Sequence, residues 1–567
     1  MAYQPLPVGV DNFEKLITRG YYYVDKTPMI KDLLDRKGEV NLFTRPRRFG
    51  KTLNLSMLKY YFEDTGDAEQ NRKNAGLFSG LSIMDAGENY TKEMGSYPVI
   101  MLTLKSAKQG DFEMAFACLK EAIAQEFARH EQVVIGKLEN PEDVEKYKAI
   151  RGRRGNGNDY YTSLAFLSSC LFQAYGKNCV ILIDEYDVPL ENSYFRGFYD
   201  QMVVFIRSLF ESALKTNPYL EFAVITGCLR VSRESIFTGL NNLEVFSIMR
   251  NGYGEYFGFV QQEVDAMLET YGMAGKHDIV KQWYDGYCFG NTEVYNPWSI
   301  ICFVKEHILD MDALMVPYWA NTSSNDIVKS LVERIDAGDE KMQGQLEHLM
   351  NGGSIEKSVH EDITYDSIYD SEDNLWNFLF FTGYMKKVSM RQEGANRFVT
   401  MAIPNMEVSY IYENTISAWF GKKQESFQMS PLYTAIEEGD TDTMEQEICG
   451  FLEETISYFD YGESYYHGFL AGLLGQNGKY RVTSNREAGL GRADIILKTP
   501  RIRRGRAIVL ELKAVKSFHS LEEGCKAAVL QIREQKYKEE LRMEGYEDVA
   551  AYGICFFRKE CVVMADE

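Results

Sequence analysis

Two sets of residues in this sequence have types and spacing suited to phosphate chemistry. The first is Arg45-Pro46-Arg47-Arg48-Phe49-Gly50-Lys51-Thr52, which follows the apolar run Val40–Thr44 and opens a helical stretch to Phe62. A loop that cradles phosphates needs inward-turned backbone N–H groups at a helix N-terminus, a Lys for the terminal phosphates and a hydroxyl for Mg²⁺. Gly50, Lys51 and Thr52 meet these needs, with Arg47, Arg48 and Phe49 in the same loop. The usual GxxxxGK[ST] spacing would put Gly where Arg45 stands, because Gly tolerates unusual dihedrals. Val180–Ile183 then reads as a buried strand ending in Asp184-Glu185. Asp184 would hold Mg²⁺ through water and Glu185 would polarise the attacking water. The run Phe222–Thr226 ends in a hydroxyl, placing Thr226 as a γ-phosphate sensor with Arg230 and Arg233 beyond it. Gly-Lys-Thr alone is equally a helix cap. The ordered set of strand, GKT, helix, strand-DE and strand-T is what makes ATP or GTP the expected ligand.

The second set lies near the C-terminus: Asp494 opening one strand, then Glu511 and Lys513 in Ile508-Val509-Leu510-Glu511-Leu512-Lys513. Side chains two apart in a strand share a face, and a hairpin would bring Asp494 beside Glu511. Two carboxylates hold Mg²⁺ through oxygen, and the ion makes bound water more acidic and stabilises charge on a phosphodiester. Lys513 would orient the water or stabilise the developing charge. Glu463, on the preceding helix, is a further metal ligand or base, and Gln531 stands on the following helix. An ExK triplet alone is worth little. Here it emerges from the apolar run Ala507–Leu510, and charges on a central strand call for a reason. The turn Arg501–Arg506 is a basic patch that either meets phosphates or is merely solvated. His467 and His519 read as structural or solvated.

The elements that must position these residues follow from periodicity. Strands are expected at Val40–Thr44, Pro98–Leu104, Val180–Ile183 and Glu221–Thr226, with helices such as Phe112–Arg129 and Tyr160–Tyr175 between them. That alternation implies an α/β unit with a parallel, doubly wound sheet. Arg151–Asn158 reads as an exposed loop. From about 255 to 450 the spacing turns helical. Asn374–Lys387 followed by Phe398–Ile403 reads as a helix and hairpin compatible with a small winged-helix unit, and 435–447 as a helical connection. A second α/β pattern follows: a helix over Glu453–Leu474, strands at Tyr480–Ser484, Ala493–Leu497 and Ala507–Lys513, a helix over Leu521–Lys538 and a strand at Val549–Phe557. The domains expected are 1–250, 251–450 and 451–567.

Composition sets bounds. The 567 residues are 45% hydrophobic and 26% charged, with a net charge of −21 that argues against unspecific coating of nucleic acid but leaves a local patch open. The 10 Cys form no CxxC pair, so a zinc site is not expected and a reducing compartment fits. No apolar run approaches the roughly 18 residues of a membrane span. The N-terminus lacks the basic and apolar regions of a secretory signal. A cytoplasmic location is expected.

The stretches Leu6–Phe13, Tyr22–Thr27, Arg45–Thr52, Ile183–Leu190, Ser235–Asn242, Trp283–Tyr287 and Tyr295–Ser299 together resemble a bacterial family of AAA-ATPase-like proteins with a C-terminal PD-(D/E)XK nuclease-superfamily domain. Glu463–Gly468, Ser484–Glu487, Gly491–Asp494 and Gln531-Ile532 resemble its nuclease-like part. The resemblance covers nearly the whole chain. It implies a P-loop NTPase sheet of AAA/ASCE type, a helical and winged-helix-like middle, and a PD-(D/E)XK nuclease-like end. In the family the Arg-Pro-Arg-Arg-Phe-Gly-Lys-Thr loop is the usual form, so Arg45 is a family trait. The leading expectation is an ATP-regulated, Mg²⁺-dependent nuclease acting on nucleic acid, DNA first. The rival is a nucleotide-dependent switch or scaffold whose nuclease-like domain only binds nucleic acid or a protein. A third reading is an ATPase acting on protein partners. Oligomeric state is left open, a homo-oligomer included.

Overall fold

The computed structural model describes residues 3–229, 236–237, 239–320, 328, 331, 340–361, 365, 367–368, 370–423, 430–455, 463–475, 480–488, 491–500 and 505–566. The chain divides into two compact units. The first comprises Met1–Thr322, Lys357–Val399 and Pro404–Met406, and the second Ser323–Glu356, Thr400–Ile403 and Glu407–Glu567.

In the first unit, β1 (Val40–Thr44), β2 (Val99–Thr103), β3 (Cys179–Asp184), β4 (Leu220–Gly227) and β5 (Leu243–Phe246) form one sheet in the order β2-β3-β4-β1-β5. Every pairing in it is parallel. β1 and β3 are buried at every position, which is why both read as mostly apolar runs, with Asn41 and Thr44 the polar members of β1 and Asp184 that of β3. β4 lies between β1 and β3, so the loop after β1, the acids after β3 and Thr226 at the end of β4 share one sheet edge. The helix Lys51–Phe62 starts at Gly50, whose φ of 78° is left-handed and suits Gly.

The expected helices form as Phe112–Val134 and Ser163–Tyr175. The expected loop at Arg151–Asn158 is shorter, because a capping box at Asn156 and Asp159 starts a helical turn at Gly157. Edge strand β5 is too short to announce itself in the sequence. So is the pair β6 (Tyr287–Phe289) and β7 (Thr292–Val294), which holds the segment after the helix His277–Tyr284.

Helix Glu372–Phe381 ends earlier than its apolar pattern suggests. Thr382 caps it and Gly383 follows at φ 93°, so Lys386 already belongs to a strand. A three-stranded sheet in the order β8-β10-β9 consists of β8 (Ile355–Ser358), β9 (Lys386–Glu393) and β10 (Asn396–Ala402).

The second unit contains a mixed sheet in the order β11-β12-β13-β14-β15: β11 (Arg481–Ala488), β12 (Gly491–Lys498), β13 (Arg506–Ala514), β14 (Asp548–Phe557) and β15 (Glu560–Ala565). Only β13 and β14 pair in parallel, joined through the helices Leu521–Glu534 and Tyr537–Met543. Lys536 in the left-handed region separates these two helices, where one was expected. Of the expected helix over Glu453–Leu474, Glu463–Leu474 forms and Glu453–Thr455 belong to the helix Thr441–Thr455, while 456–462 lie outside the described residues. Gly439, at φ 78°, separates that helix from Ser430–Glu438. β13 is buried from Ala507 to Leu512, which makes it the centre of this core.

Candidate functional sites

At the edge of the parallel sheet, Asp184 accepts two hydroxyl hydrogen bonds. Thr52 Oγ1 donates to Oδ2 at 2.8 Å and Thr226 Oγ1 to Oδ1 at 2.6 Å. Three expected site residues are thus in direct contact. Lys51 is only 6% exposed, and its Nζ donates to the carbonyls of Arg45 and Pro46, each at 2.8 Å. The ammonium is held inside its own loop by two carbonyls, an arrangement that leaves it beside any phosphate seated there. Glu185 faces the same cavity with φ at 50°, a strained value for a non-Gly residue.

The three arginines of the loop do different things. Arg45 is fully buried. Its Nη1 donates to Thr44 O at 2.8 Å and Phe246 O at 2.6 Å, and its guanidinium lies 5.2 and 4.9 Å from the ring centroids of Phe257 and Phe289. Burial pushes it down to about 9, against the weaker pull of Glu255. The side chain that replaces the customary Gly is therefore an anchor beneath the loop. Arg47 Nη2 pairs with Glu191 at 2.5 Å. Arg48, at φ 71°, stacks on Trp298 with 4.3 Å to the ring centroid. The Phe49 side chain turns into an aromatic cluster with Tyr287 and Phe289, leaving its backbone for the loop.

A cavity of about 360 Å³ opens over this loop, within the size range of small-molecule sites. Its lining includes the cations Arg47, Lys51, Lys105 and Lys108 and the apolar side chains Val10, Leu16, Val24, Phe259 and Met267. A nucleotide carries both kinds of surface, charged phosphates and a flat base. Sequence reasoning missed Lys105, Lys108, Glu191 and Trp298, because each comes from an element distant in sequence. It also missed Asp187, whose Oδ2 accepts from the backbone N–H of Cys228 (2.7 Å) and Leu229 (3.0 Å) and so holds the chain after β4. Burial raises Asp187 to about 6. Arg230, Arg233 and Ser235 lie outside the described residues.

In the second unit, the pairing of Ile495 with Leu510 brings the start of β12 to the end of β13. Asp494 Oδ2 accepts from Leu512 N at 2.8 Å. Glu511 is 1% exposed, and its Oε2 has no hydrogen-bond partner among the described residues. Lys513 Nζ stands 3.5 Å from Glu463 Oε1 and 3.9 Å from Glu511 Oε1. The four residues expected to act together are therefore neighbours. Burial, then the charge of Asp494, lifts Glu511 to about 8. Burial also raises Asp494 and Glu463.

A fourth carboxylate was not foreseen. Glu413, on the helix Met406–Lys423, is raised to about 7 by burial and then by Asp494. Its sequence neighbourhood carries no signal of chemistry. His467 is structural, its Nε2 donating to Asp494 O at 2.9 Å, and His519 is exposed. Gln531 reaches the hydroxyl of Tyr537, a buried ring that also feels Glu511. Of the basic turn, Arg501–Arg504 lie outside the described residues, and Arg506 pairs with Asp548 at 3.4 Å.

The donor set at this site is hard oxygen, which suits Mg²⁺ or Mn²⁺. The orphaned Glu511 oxygen and the mutual repulsion of the acids are what a divalent cation would relieve. The acids do not form a closed ligand sphere as they stand: among the described residues no group of three or more His, Cys, Asp or Glu side chains could hold a metal ion. A cation would have to draw them inward.

Comparison with known proteins finds a domain match around each set of residues. Residues 7–237 match a family described as predicted AAA-ATPase, and residues 461–566 match the PD-(D/E)XK nuclease superfamily. The chain thus joins an AAA-ATPase-like domain to a PD-(D/E)XK nuclease-superfamily domain. It is 25% identical to an uncharacterized protein in the vnfD 5' region of Azotobacter chroococcum mcd 1, over 72% of this chain and 69% of that one. No solved structure matches. Among the described residues no helix is long and apolar enough to cross a membrane.

Proposed function

We propose that this protein is an ATP-regulated, Mg²⁺-dependent nuclease that cleaves phosphodiesters of nucleic acid, DNA first. The observation that carries the reading is the convergence of Asp494, Glu511 and Lys513 on two central strands with Glu463 on a helix beside them, and a buried carboxylate oxygen of Glu511 lacking a partner among the described residues. Charge concentrated at such cost in a core is the mark of a working site.

Asp494 and Glu511 would hold the divalent ion, with Glu463 completing the oxygen donors. Bound there, the ion supplies Lewis-acid polarisation of the phosphodiester and a more acidic water. Lys513 places a positive charge where the scissile phosphate gains negative charge, and it donates to the attacking water or to the phosphate oxygen. In the first unit, backbone N–H groups of Arg47–Gly50 and the Lys51 ammonium would bind the phosphates of ATP, and Thr52 and Asp184 would hold its Mg²⁺. Glu185 orients the attacking water, and Thr226 keeps Asp184 in place from the opposite oxygen.

The test is cleavage of linear and circular DNA and of RNA by the full-length protein with Mg²⁺ or Mn²⁺, with and without ATP, beside Glu511→Ala and Lys51→Ala. Cleavage lost in Glu511→Ala supports the nuclease, and a change on adding ATP that disappears in Lys51→Ala supports the regulation. Ordinary ATP binding with no cleavage of any substrate would favour the switch or scaffold reading instead.

A further inference from the structure

The second unit contains a pair of thiols in contact. Cys449, on the helix Thr441–Thr455, and Cys561, on β15, have their sulfurs 3.6 Å apart, and Cys449 is the partly exposed member. β15 is the last strand of its sheet, so the N–H groups on its outer side have no strand to pair with. Two of them are met by the helix. Cys561 N donates to Cys449 Sγ at 3.3 Å, and Val563 N to Glu445 Oε1 at 2.7 Å. Side chains one helical turn apart thus cover the sheet edge, a position where an open strand invites aggregation. The Cys449 sulfur there accepts from the backbone N–H of Cys561 and shares a thiol–thiol hydrogen bond with Cys561 in which either sulfur can be the donor.

We propose that Cys449 and Cys561 form a modification site for hydroperoxides, at which Cys449 is the attacking thiolate, Cys561 resolves, and the product is an intrachain disulfide. The Cys449 thiolate attacks one oxygen of hydrogen peroxide, giving the sulfenic acid and hydroxide. The Cys561 thiolate then attacks that sulfur, forming the S–S bond and expelling the second hydroxide. With the two thiol protons, the sum is two thiols and one peroxide giving one disulfide and two waters. The sulfurs need to close from 3.6 Å to about 2.05 Å, a movement within side-chain reach.

The electrostatics agree with this division of labour. The hydrogen bond from the Cys561 thiol, and after it the Cys561 N–H, hold Cys449 below the ordinary thiol value against the opposing burial, while Cys561 is raised. Thiolate character and access together select the cysteine that oxidises first. The other buried cysteines, Cys170, Cys179, Cys525 and Cys555, are all raised by burial. The new bond would tie a helix that precedes the nuclease-superfamily match to the last strand within it. On that strand Cys561 pairs with Phe556, whose ring stacks at 4.2 Å on Tyr466, three residues from Glu463.

The experiment is treatment of reduced, full-length protein with a small excess of hydrogen peroxide. Readouts are thiol titration in denaturant and peptide mapping without reductant. The expected result is a fall of two thiols from the 10 present, with the Cys449 peptide joined to the Cys561 peptide in one chain. In Cys561→Ser the reaction should stop at a sulfenic acid on Cys449 that dimedone labels. Cys449→Ser should leave Cys561 unlabelled. Retention of all thiols, first oxidation at Cys118, Cys228, Cys288 or Cys302, or a disulfide found only between two chains would overturn the proposal. Mapping of the unsubstituted protein decides the matter even if a variant does not fold.

Discussion

Thr52 donates to Asp184 across 132 residues of chain, at 2.8 Å. Thr226 holds the other oxygen of the same carboxylate at 2.6 Å. The hydroxyl that would bind Mg²⁺ and the acid that would hold it are therefore held against each other. Asp184→Asn keeps the size of the side chain but loses the charge. It should leave nucleotide binding within about threefold and reduce Mg²⁺-dependent ATP turnover by on the order of 100-fold. Nucleotide titration beside steady-state turnover checks this, and unchanged turnover would remove Asp184 from the site.

Arg45 fills the space where phosphate loops customarily have Gly, yet restoring Gly should not improve this loop. Arg45→Gly empties a space between Phe257 and Phe289 and removes the bond to Phe246 O, at a cost of roughly 2–4 kcal/mol. Arg45→Met keeps most of the volume and removes a buried charge that has no carboxylate in direct contact among the described residues, so it should cost about 1 kcal/mol or less. Denaturant unfolding of both variants tests the order. A more stable Gly variant would contradict the anchor.

The acidic site makes stability depend on pH in a defined direction. Glu511 and Glu413 are raised in the fold, to about 8 and about 7. The folded chain thus binds more protons than the unfolded chain between the ordinary carboxylate range and those values. Unfolding free energy falls as pH rises through that window. The second unit should melt roughly 5 °C lower at pH 8.5 than at pH 5.5. Added Mg²⁺ should recover most of the loss at the higher pH, because it replaces the proton as the neutralising charge. A melting temperature that is flat over this range, or insensitive to Mg²⁺, would contradict the arrangement of acids.

Glu413 lies outside the nuclease-superfamily match, yet burial and then the charge of Asp494 raise it, so the two carboxyls are electrostatic neighbours. Glu413→Gln removes one negative charge, so the midpoint of Mg²⁺ binding against pH should move down by about 0.5 to 1 pH unit. Isothermal titration with Mg²⁺ from pH 6 to 9 reads the shift. Weaker binding at pH 9, where all the acids are ionised, would make Glu413 a ligand. Unchanged binding there would make it a neighbour that sets only the proton competition.

The sequence by itself determined what local pattern and composition can carry. Buried strands announce themselves as predominantly apolar runs, so β1, β3, β4 and β13 were legible, and so were the acids and hydroxyls at their ends. Gly50-Lys51-Thr52, Asp184-Glu185 and Glu511-Lys513 were readable because the strand or helix places each group within a few residues of its own element. Short or edge strands such as β5, β6, β7 and β15 were not, since three to six residues hold too little periodicity to stand out. Contacts between distant segments were beyond it altogether. Only the tertiary structure put Arg48 on Trp298, Glu413 beside Asp494, and Cys449 against Cys561. Only the burial of Arg45 between aromatic rings shows that a side chain can do beneath a phosphate loop what glycine elsewhere does by having none. The reason is physical: propensity and hydrophobic period act along the chain, whereas charge pairing, desolvation and thiol contact depend on distances in space that no spacing in sequence encodes.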